Sequence, residues 1–273
     1  MSDDELRSAA MTGQAGEVRR LLEAAGGPDA GGPDAGGPDA GGPDTAATDT
    51  AATDMAGALY QAAVQGHAGI VRMLLEAGAD PDRETGDESE GLPLCAAACW
   101  GHLGAVNALL DAGADPDRRE DPGAMTALHW AAANDRLAVA RALLARGAGP
   151  DLRDSAGNTP LSRAAERGAT AMVRALLDHG ATPAAHHLDL ARRHAGHDIE
   201  AEVRARAGQY APPGARIGVR REEAEGGGVR VVAEVRDAEG RLRSEIHLGT
   251  GHAEIVRLLE ARLGGDPGMS AGA

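Results

Sequence analysis

The sequence predicts a mainly α-helical solenoid of stacked helix–turn–helix units with a small C-terminal antiparallel β plus helix extension. Three observations predict it. Leu-Ala-Ala blocks return at spacings of 35, 34 and 33 residues, each followed by a second apolar helix. The apolar residues are mostly Ala, Leu and Val, with no Phe, two Trp and two Tyr, which suits helices packed at close range through small side chains. Past residue 207 the apolar spacing changes from helical to alternating.

Residues 1–25 read as an N-terminal capping unit with Leu6, Ala9, Ala10, Gly13, Val18, Leu21 and Leu22 at the repeating positions. Asp3, Asp4 and Glu5 lie near its helix start, where negative charge suits the helix dipole. Residues 26–54 interrupt the array: GGPDA three times, then GGPD, then TAATD twice. Gly and Pro at that density cannot continue a helix or offset ordering entropy by apolar burial, so a disordered acidic insertion is expected.

Four full units are expected over 55–183. Their first helices begin at Leu59-Tyr60-Gln61-Ala62-Ala63, Leu94-Cys95-Ala96-Ala97-Ala98, Leu128-His129-Trp130-Ala131-Ala132 and Leu161-Ser162-Arg163-Ala164-Ala165. Their second helices end at Gly78-Ala79, Gly113-Ala114, Gly147-Ala148 and Gly180-Ala181, where Gly can close a helix in the left-handed conformation. One such unit cannot bury its own apolar face, whereas stacked neighbours can. Residues 184–207, with Leu188, Ala191, Gly196, His197 and Ile199, read as a degenerate C-terminal repeat.

Pro212-Pro213-Gly214 then breaks the helix, and 208–264 reads as three short antiparallel strands and a helix. Ile217 and Val219, then Val229, Val231, Ala233 and Val235, then Leu242, Ser244, Ile246 and Leu248 alternate with their neighbours. The helix His252 to Leu263 carries Ile255, Val256, Leu258 and Leu259. Residues 265–273 read as a flexible tail.

The units resemble ankyrin repeats. Asp154-Ser155-Ala156-Gly157-Asn158-Thr159-Pro160-Leu161 fits the family's D-x-x-G-x-T-P-L opening, and Thr126-Ala127-Leu128-His129 is near T-P-L-H. Gly66-His67 and Gly101-His102 match its G-H turn, and Gly78-Ala79-Asp80 and Gly113-Ala114-Asp115 its G-A-D ending. Leu92-Pro93-Leu94-Cys95 departs from the opening, and Asp135-Arg136 replaces Gly-His, so a less regular turn is expected there. Gly251 to Leu259 also looks like an ankyrin second helix, although no T-P-L-H helix precedes it. The resemblance implies a protein-interaction module, with His67, His102 and His129 serving loops and turns.

Composition excludes several function classes. Lys is absent, so the Walker A phosphate loop, PLP Schiff bases, the kinase lysine and the S-x-x-K hydrolases are out. Missing Lys and Phe with abundant Ala, Gly and Arg fits the codons of a GC-rich genome. The net charge of −15 argues against general nucleic-acid binding, with Arg-rich strands near 216–243 a local exception. The N-terminus lacks the pattern of a signal peptide, and the longest apolar run, Leu94 to Trp100, is far too short for a membrane span. A cytoplasmic, monomeric protein with no membrane or nucleic-acid partner is expected.

No catalytic, cofactor or metal set is assigned from sequence. Cys95 and Cys99 share a helical face, but there is no second Cys pair and a helix does not supply the usual C-x-x-C turn, so no metal or redox role is assigned to them. Within the histidine-rich run His179, His186, His187, His194 and His197, the last two are spaced to share a metal on a helix, yet read as part of a solvated polar cap. Gly249-Thr250-Gly251 lacks the third glycine of a dinucleotide loop, so Thr250 reads as an N-cap. Glu222-Glu223 reads as a solvated turn and Trp130 as core.

The expected function is non-enzymatic binding of an unidentified cytosolic protein. By register, Val64, Gln65, Cys99, Trp100, Asn134, Glu166 and Arg167 lie at the ends of first helices, on the side that the ankyrin resemblance implies lines a concave groove. Arg83, Arg118, Arg119 and Arg153 lie at the hairpin tips. An exposed Trp with Arg nearby is the composition of a binding hot spot. The alternative is a solenoid carrying a C-terminal effector or ligand-binding domain over 208–264, with an enzyme-like or metal-dependent role.

Overall fold

The computed structural model describes residues 3–25, 45–84, 91–225 and 227–264. The chain divides into two compact units, Met1–Asp121 and Pro122–Ala273.

The first unit contains α1 (Asp3–Thr12), α2 (Ala15–Ala25), α3 (Thr45–Gln65), α4 (Ala68–Glu76), α5 (Pro93–Trp100) and α6 (Leu103–Asp111). The first helices of each pair, α1, α3 and α5, pack side by side, and α2, α4 and α6 form a second layer. Ala62, Ala63, Ala97 and Ala98 are fully buried, so neighbouring helices approach through methyl groups. Leu59, Leu74 and Leu109 fill the space behind them.

The expected disordered insertion differs from the structure in part. Residues 45–54 continue the helix of α3, while 26–44 lie outside the described residues. The reason is visible in sequence: Gly and Pro stop at Pro43, and the TAATD pairs that follow are Ala-rich enough to propagate a helix already nucleated at Leu59.

The second unit contains α7 (Ala127–Ala133), α8 (Leu137–Ala145), α9 (Pro160–Arg167), α10 (Thr170–Asp178), α11 (Ala185–His194) and α12 (Ile199–Tyr210). The strands β1 (Arg216–Glu223), β2 (Val229–Arg236) and β3 (Leu242–Gly249) follow, and then α13 (His252–Gly264). Helices α7, α9 and α11 pack in a row, with α8 and α10 behind.

Each first helix of this unit starts at the same local device. Thr126 caps α7, accepting from the His129 amide while its own amide donates to His129 Nδ1 at 3.2 Å. Thr159 caps α9 with Ser162 in the His place and Pro160 in the first turn, where a missing N–H costs nothing. At α11 Ala184 has replaced the Thr, but its amide still donates to His187 Nδ1 at 3.0 Å. The loop before α9 is held by Asp154, whose carboxylate accepts from the Ala156 and Asn158 amides and from Arg163.

The helix-ending glycines take the left-handed conformation, with φ of +98° at Gly78 and +93° at Gly113. The turn at Asp135-Arg136 is not irregular. Asp135 adopts φ +53°, and the Asp135 and Arg136 amides donate to Ala132 and Ala131, as Gly168 and Ala169 do to Ala165 and Ala164. Asp is among the few non-glycine residues that tolerate this region.

The C-terminal boundary is drawn differently from the sequence expectation of a repeat over 184–207. Helix α12 does not pack as the second helix of α11; it lies on the sheet. Val203 and Ala207 join Val231, Ala233, Val235 and Leu248 in one apolar cluster, and the strands form an antiparallel sheet in the order β1-β2-β3. Helix α13 packs instead on α11, α10 and α9, burying Ile255 and Leu259. At about 1.5–3 kcal/mol per buried aliphatic side chain, those two residues alone hold it firmly.

The last repeat is therefore discontinuous. Its first helix is α11, its second is α13, and α12 with the three strands is inserted between them. The helix that sequence reading found missing before Gly251 is α11, 57 residues upstream at its C-terminal His194. The expected C-terminal β plus helix extension over 208–264 is present, and its helix α13 packs on α11, α10 and α9.

Three smaller expectations are also corrected. Glu222 and Glu223 end β1 rather than forming a turn, because Arg220 and Arg230 pair with Glu222. Thr250 does not cap α13; its hydroxyl donates to the Val229 carbonyl at 2.9 Å, tying β3 to β2. Trp130 is half-buried rather than core.

Candidate protein-binding site

In the first unit the ends of α1, α3 and α5 present equivalent positions, fixed by the glycine that follows each helix. Gly13, Gly66 and Gly101 have φ of +76°, +73° and +83°. One residue before them stand Thr12, Gln65 and Trp100, and two before stand Met11, Val64 and Cys99. Trp100 is 58% exposed, and Gln65 is also exposed. Val64 and Cys99 are half-buried, and Met11 is 44% exposed.

Met11 was missed from sequence. Its signal was its place two residues before Gly13, the same offset that selected Val64 and Cys99. His102 fixes the geometry of this face: its Nε2 donates to the Val64 carbonyl at 3.0 Å. Its ring lies so close to Gly66 that a Cβ there would meet it.

The hairpin tips of this unit are joined by Asp82, whose carboxylate accepts from the Asp115 amide at 3.0 Å. Arg118 and Arg119 are exposed and Arg83 is half-buried. Cys95 is fully buried, and its thiol is pushed well up by burial and by the Glu120 and Glu84 carboxylates.

In the second unit the equivalent positions, Asn134, Glu166 and Arg167, are half-buried. Asn134 Nδ2 donates to the Trp130 carbonyl. Arg167 donates from Nη1 to the His247 carbonyl of β3 at 2.6 Å, and burial lowers its pKa. The Glu166 carbonyl accepts from His252 Nε2 at 3.0 Å. Arg167 is thus a residue of the internal contact between α9 and the insertion, which corrects its expected place in an open groove. Arg153 is exposed at a tip and donates to the Gly157 carbonyl.

The loop Gly249-Thr250-Gly251 is glycine-rich for packing. Gly251 donates to the Gly168 carbonyl at 3.2 Å, and a Cβ at Gly249 or Gly251 would collide with the Gly168 backbone. The Arg-rich strands form ion pairs rather than a bare basic face: Arg220 with Glu222, Glu234 and Glu245, Arg236 with Glu234, and Arg241 and Arg243 with Asp237.

A family pattern described as ankyrin repeats (three copies) matches residues 6–120 and again 94–186, so that together the matches cover most of the chain. The chain belongs to the ankyrin-repeat family. Over 72 residues, 26% of this chain, it is 42% identical to human NF-kappa-B inhibitor alpha, covering 23% of that protein. It is 48% identical over 111 residues, 41% of the chain, to human ankyrin repeat and SOCS box protein 3, covering 21% of it. The bovine form of the latter is 48% identical over 109 residues, covering 40% of this chain and 20% of the relative. The chain therefore spans about a fifth to a quarter of the length of these relatives.

Ankyrin repeats make this a protein–protein interaction module. Among the described residues, no helix is long and apolar enough to cross a membrane.

Proposed function

We propose that this ankyrin-repeat protein binds a protein partner, without catalysis, through the first-unit face built from α1, α3 and α5. Trp100 is the anchor, Met11, Val64, Gln65 and Cys99 surround it, and the tip arginines Arg83, Arg118 and Arg119 set orientation. Within the second unit, taken by itself, Arg153, Asn134 and Glu166 are candidate contacts. The observation that carries the reading is the exposure of Trp100, 58%, on a helix end whose position is fixed by Gly101 and His102. A large aromatic on a preformed face contributes affinity with little ordering cost on binding. One relative is by its name an inhibitor of NF-kappa-B, hence a protein that acts on another protein.

The reading includes a monomer acting in the cytoplasm. A net charge of −15 favours dispersed molecules and a partner with a basic contact surface. The ion-paired strand arginines give no support to nucleic acid as that partner.

The test is affinity capture from lysate of the source organism with wild type, Trp100→Glu and the remote variant Arg257→Glu side by side. A protein retained by wild type and Arg257→Glu but lost by Trp100→Glu, with unchanged melting, is the expected result. Retention by all three would move the binding face away from Trp100.

A further inference from the structure

We propose that a zinc ion binds where the insertion leaves the last repeat, on His194, His197 and Glu202, and clips the start of α12 to the end of α11. One ligand atom from each of these residues lies within 4.8 Å of the other two. His194 Nδ1 is already 3.0 Å from Glu202 Oε2. Tetrahedral zinc at its usual bond length of about 2.1 Å holds ligand atoms roughly 3.4 Å apart, so closure needs shifts of about 1 Å. His197 is exposed on the bend between the two helices and can make that shift.

The surroundings select this set among the nearby carboxylates. Asp198 is committed as the N-cap of α12, accepting from the Glu200 and Ala201 amides. Glu200 pairs with Arg221. Glu202 gives Oε1 to Arg206 at 2.9 Å and keeps Oε2 on the His194 side, which fits monodentate ligation. His194 and His197 line a cleft of about 290 Å³ shared with Arg221, Thr250 and His252.

A second, independent observation lies at the back of that cleft. His252 is 2% exposed, its ring centroid is 5.0 Å from that of His194, and its buried Nδ1 has no hydrogen-bond partner. Nε2 of His252 donates to the Glu166 carbonyl, which leaves Nδ1 as the ring's unpartnered buried nitrogen. Two imidazoles and one carboxylate suit zinc and its borderline neighbours and are a poor set for magnesium or calcium. The fourth tetrahedral position falls to water.

The ion would span the bend 195–198, the point at which the chain departs from the repeat. Zinc would then stabilise the junction of insertion and repeat rather than the array as a whole.

The test uses tag-free full-length protein in chelator-treated buffer, titrated with zinc chloride by calorimetry and followed by thermal melting. The expected result is one zinc per chain and a raised Tm. His197→Ala and Glu202→Gln should each weaken zinc binding by at least about tenfold, while His186→Ala should bind as wild type. Magnesium at the same concentration should not raise Tm. The proposal is overturned by no zinc binding in wild type, by wild-type affinity in His197→Ala, by equal loss in His186→Ala, or by an equal Tm rise with magnesium. Should Glu202→Gln lower stability in the absence of metal, the exposed His197 decides the matter, since its removal leaves the fold intact.

Discussion

His252 donates from Nε2 to the carbonyl of Glu166 at 3.0 Å, the bond that His102 makes to the carbonyl of Val64 at the same distance. In both cases the acceptor lies two residues before a left-handed glycine, Gly168 or Gly66, and the imidazole packs on that glycine. The shared device is what identifies α13 as the second helix of a repeat. It survives an insertion of a helix and three strands because it depends on the glycine–histidine contact and not on chain continuity.

Gly168→Ala tests that device. Gly168 has φ +70°, and a Cβ there would come within 2.6 Å of His252 and 2.5 Å of the Gly249 carbonyl oxygen. The left-handed conformation alone costs a side-chain-bearing residue about 1–2 kcal/mol, and the backbone contact cannot rotate away. The expected loss is at least about 2 kcal/mol by urea unfolding, with faster amide exchange in α13. Gly69→Ala is the control. It sits in α4 with open space around its Cβ and should stabilise by about 0.5–1 kcal/mol. A neutral Gly168→Ala would mean that α13 is not seated on that glycine.

Excision and truncation should have opposite consequences. Ending the chain at 207 removes α13 and uncovers the faces of α11, α10 and α9 on which it packs. Melting should then fall by many degrees. Replacing 197–249 by a short Gly-Ser linker keeps both halves of the last repeat, whose ends are near enough for the His194 and His252 rings to lie 5.0 Å apart. That variant should melt cooperatively close to wild type. Unfolding of the linker variant together with an unaffected truncation would refute the discontinuous repeat.

Much of this was legible in sequence, and the failures share a physical cause. The period, the left-handed glycines, the Thr126 and Thr159 caps and the three strands are local signals, each written within one or two turns of chain. The pairing of α11 with α13 is not local. Gly251-His252 resembled a repeat turn, but nothing nearby named its partner helix, because α11 has lost the Thr and keeps only His187 of the capping pair. Helix α12 was misassigned for the same reason: Ile199 and Val203 fit either a repeat or a sheet-covering helix, and only the strands downstream decide between them. At the binding face, Trp100 was found from register. Arg167 was misplaced because its acceptor, the His247 carbonyl, lies 80 residues away.

Acid should weaken the fold from mildly acidic pH. Burial holds His187 and His247 at about 4, with His186 and Arg230 adding to the effect, and lowers His129 and His252 from 6.5. For these groups the unfolded chain takes up protons first, so their contribution is complete above about pH 6.5 and is lost as pH falls toward 4. Asp135 acts in the opposite sense. Burial raises its carboxyl to about 6, so between 3.8 and 6 the folded state holds the extra proton. Asp82, also raised by burial, acts in the same sense as Asp135; four histidines outweigh these two carboxylates, and each net proton is worth about 1.4 kcal/mol per pH unit. Urea midpoints should therefore decline from pH 7 to pH 5, and His247→Asn should flatten the decline. Stability independent of pH over that range would contradict the buried neutral histidines.

The two cysteines should separate cleanly by reactivity. Cys95 is buried in α5, and its thiol is pushed well above the ordinary range by burial and neighbouring carboxylates. Cys99, one turn later on the same helix, is half-buried beside Trp100. Only a thiolate attacks a disulfide reagent, so at pH 8 the native protein should react at Cys99 with one equivalent, and at Cys95 only on unfolding in urea. Cys99→Ser should abolish the native reaction and leave one slow thiol. If Trp100 anchors a partner, that partner should protect Cys99 from labelling while leaving the urea-exposed thiol unchanged. Two thiols of equal rate in the native state would mean that α5 opens readily, and a face on so mobile a helix could not serve as a preformed binding surface.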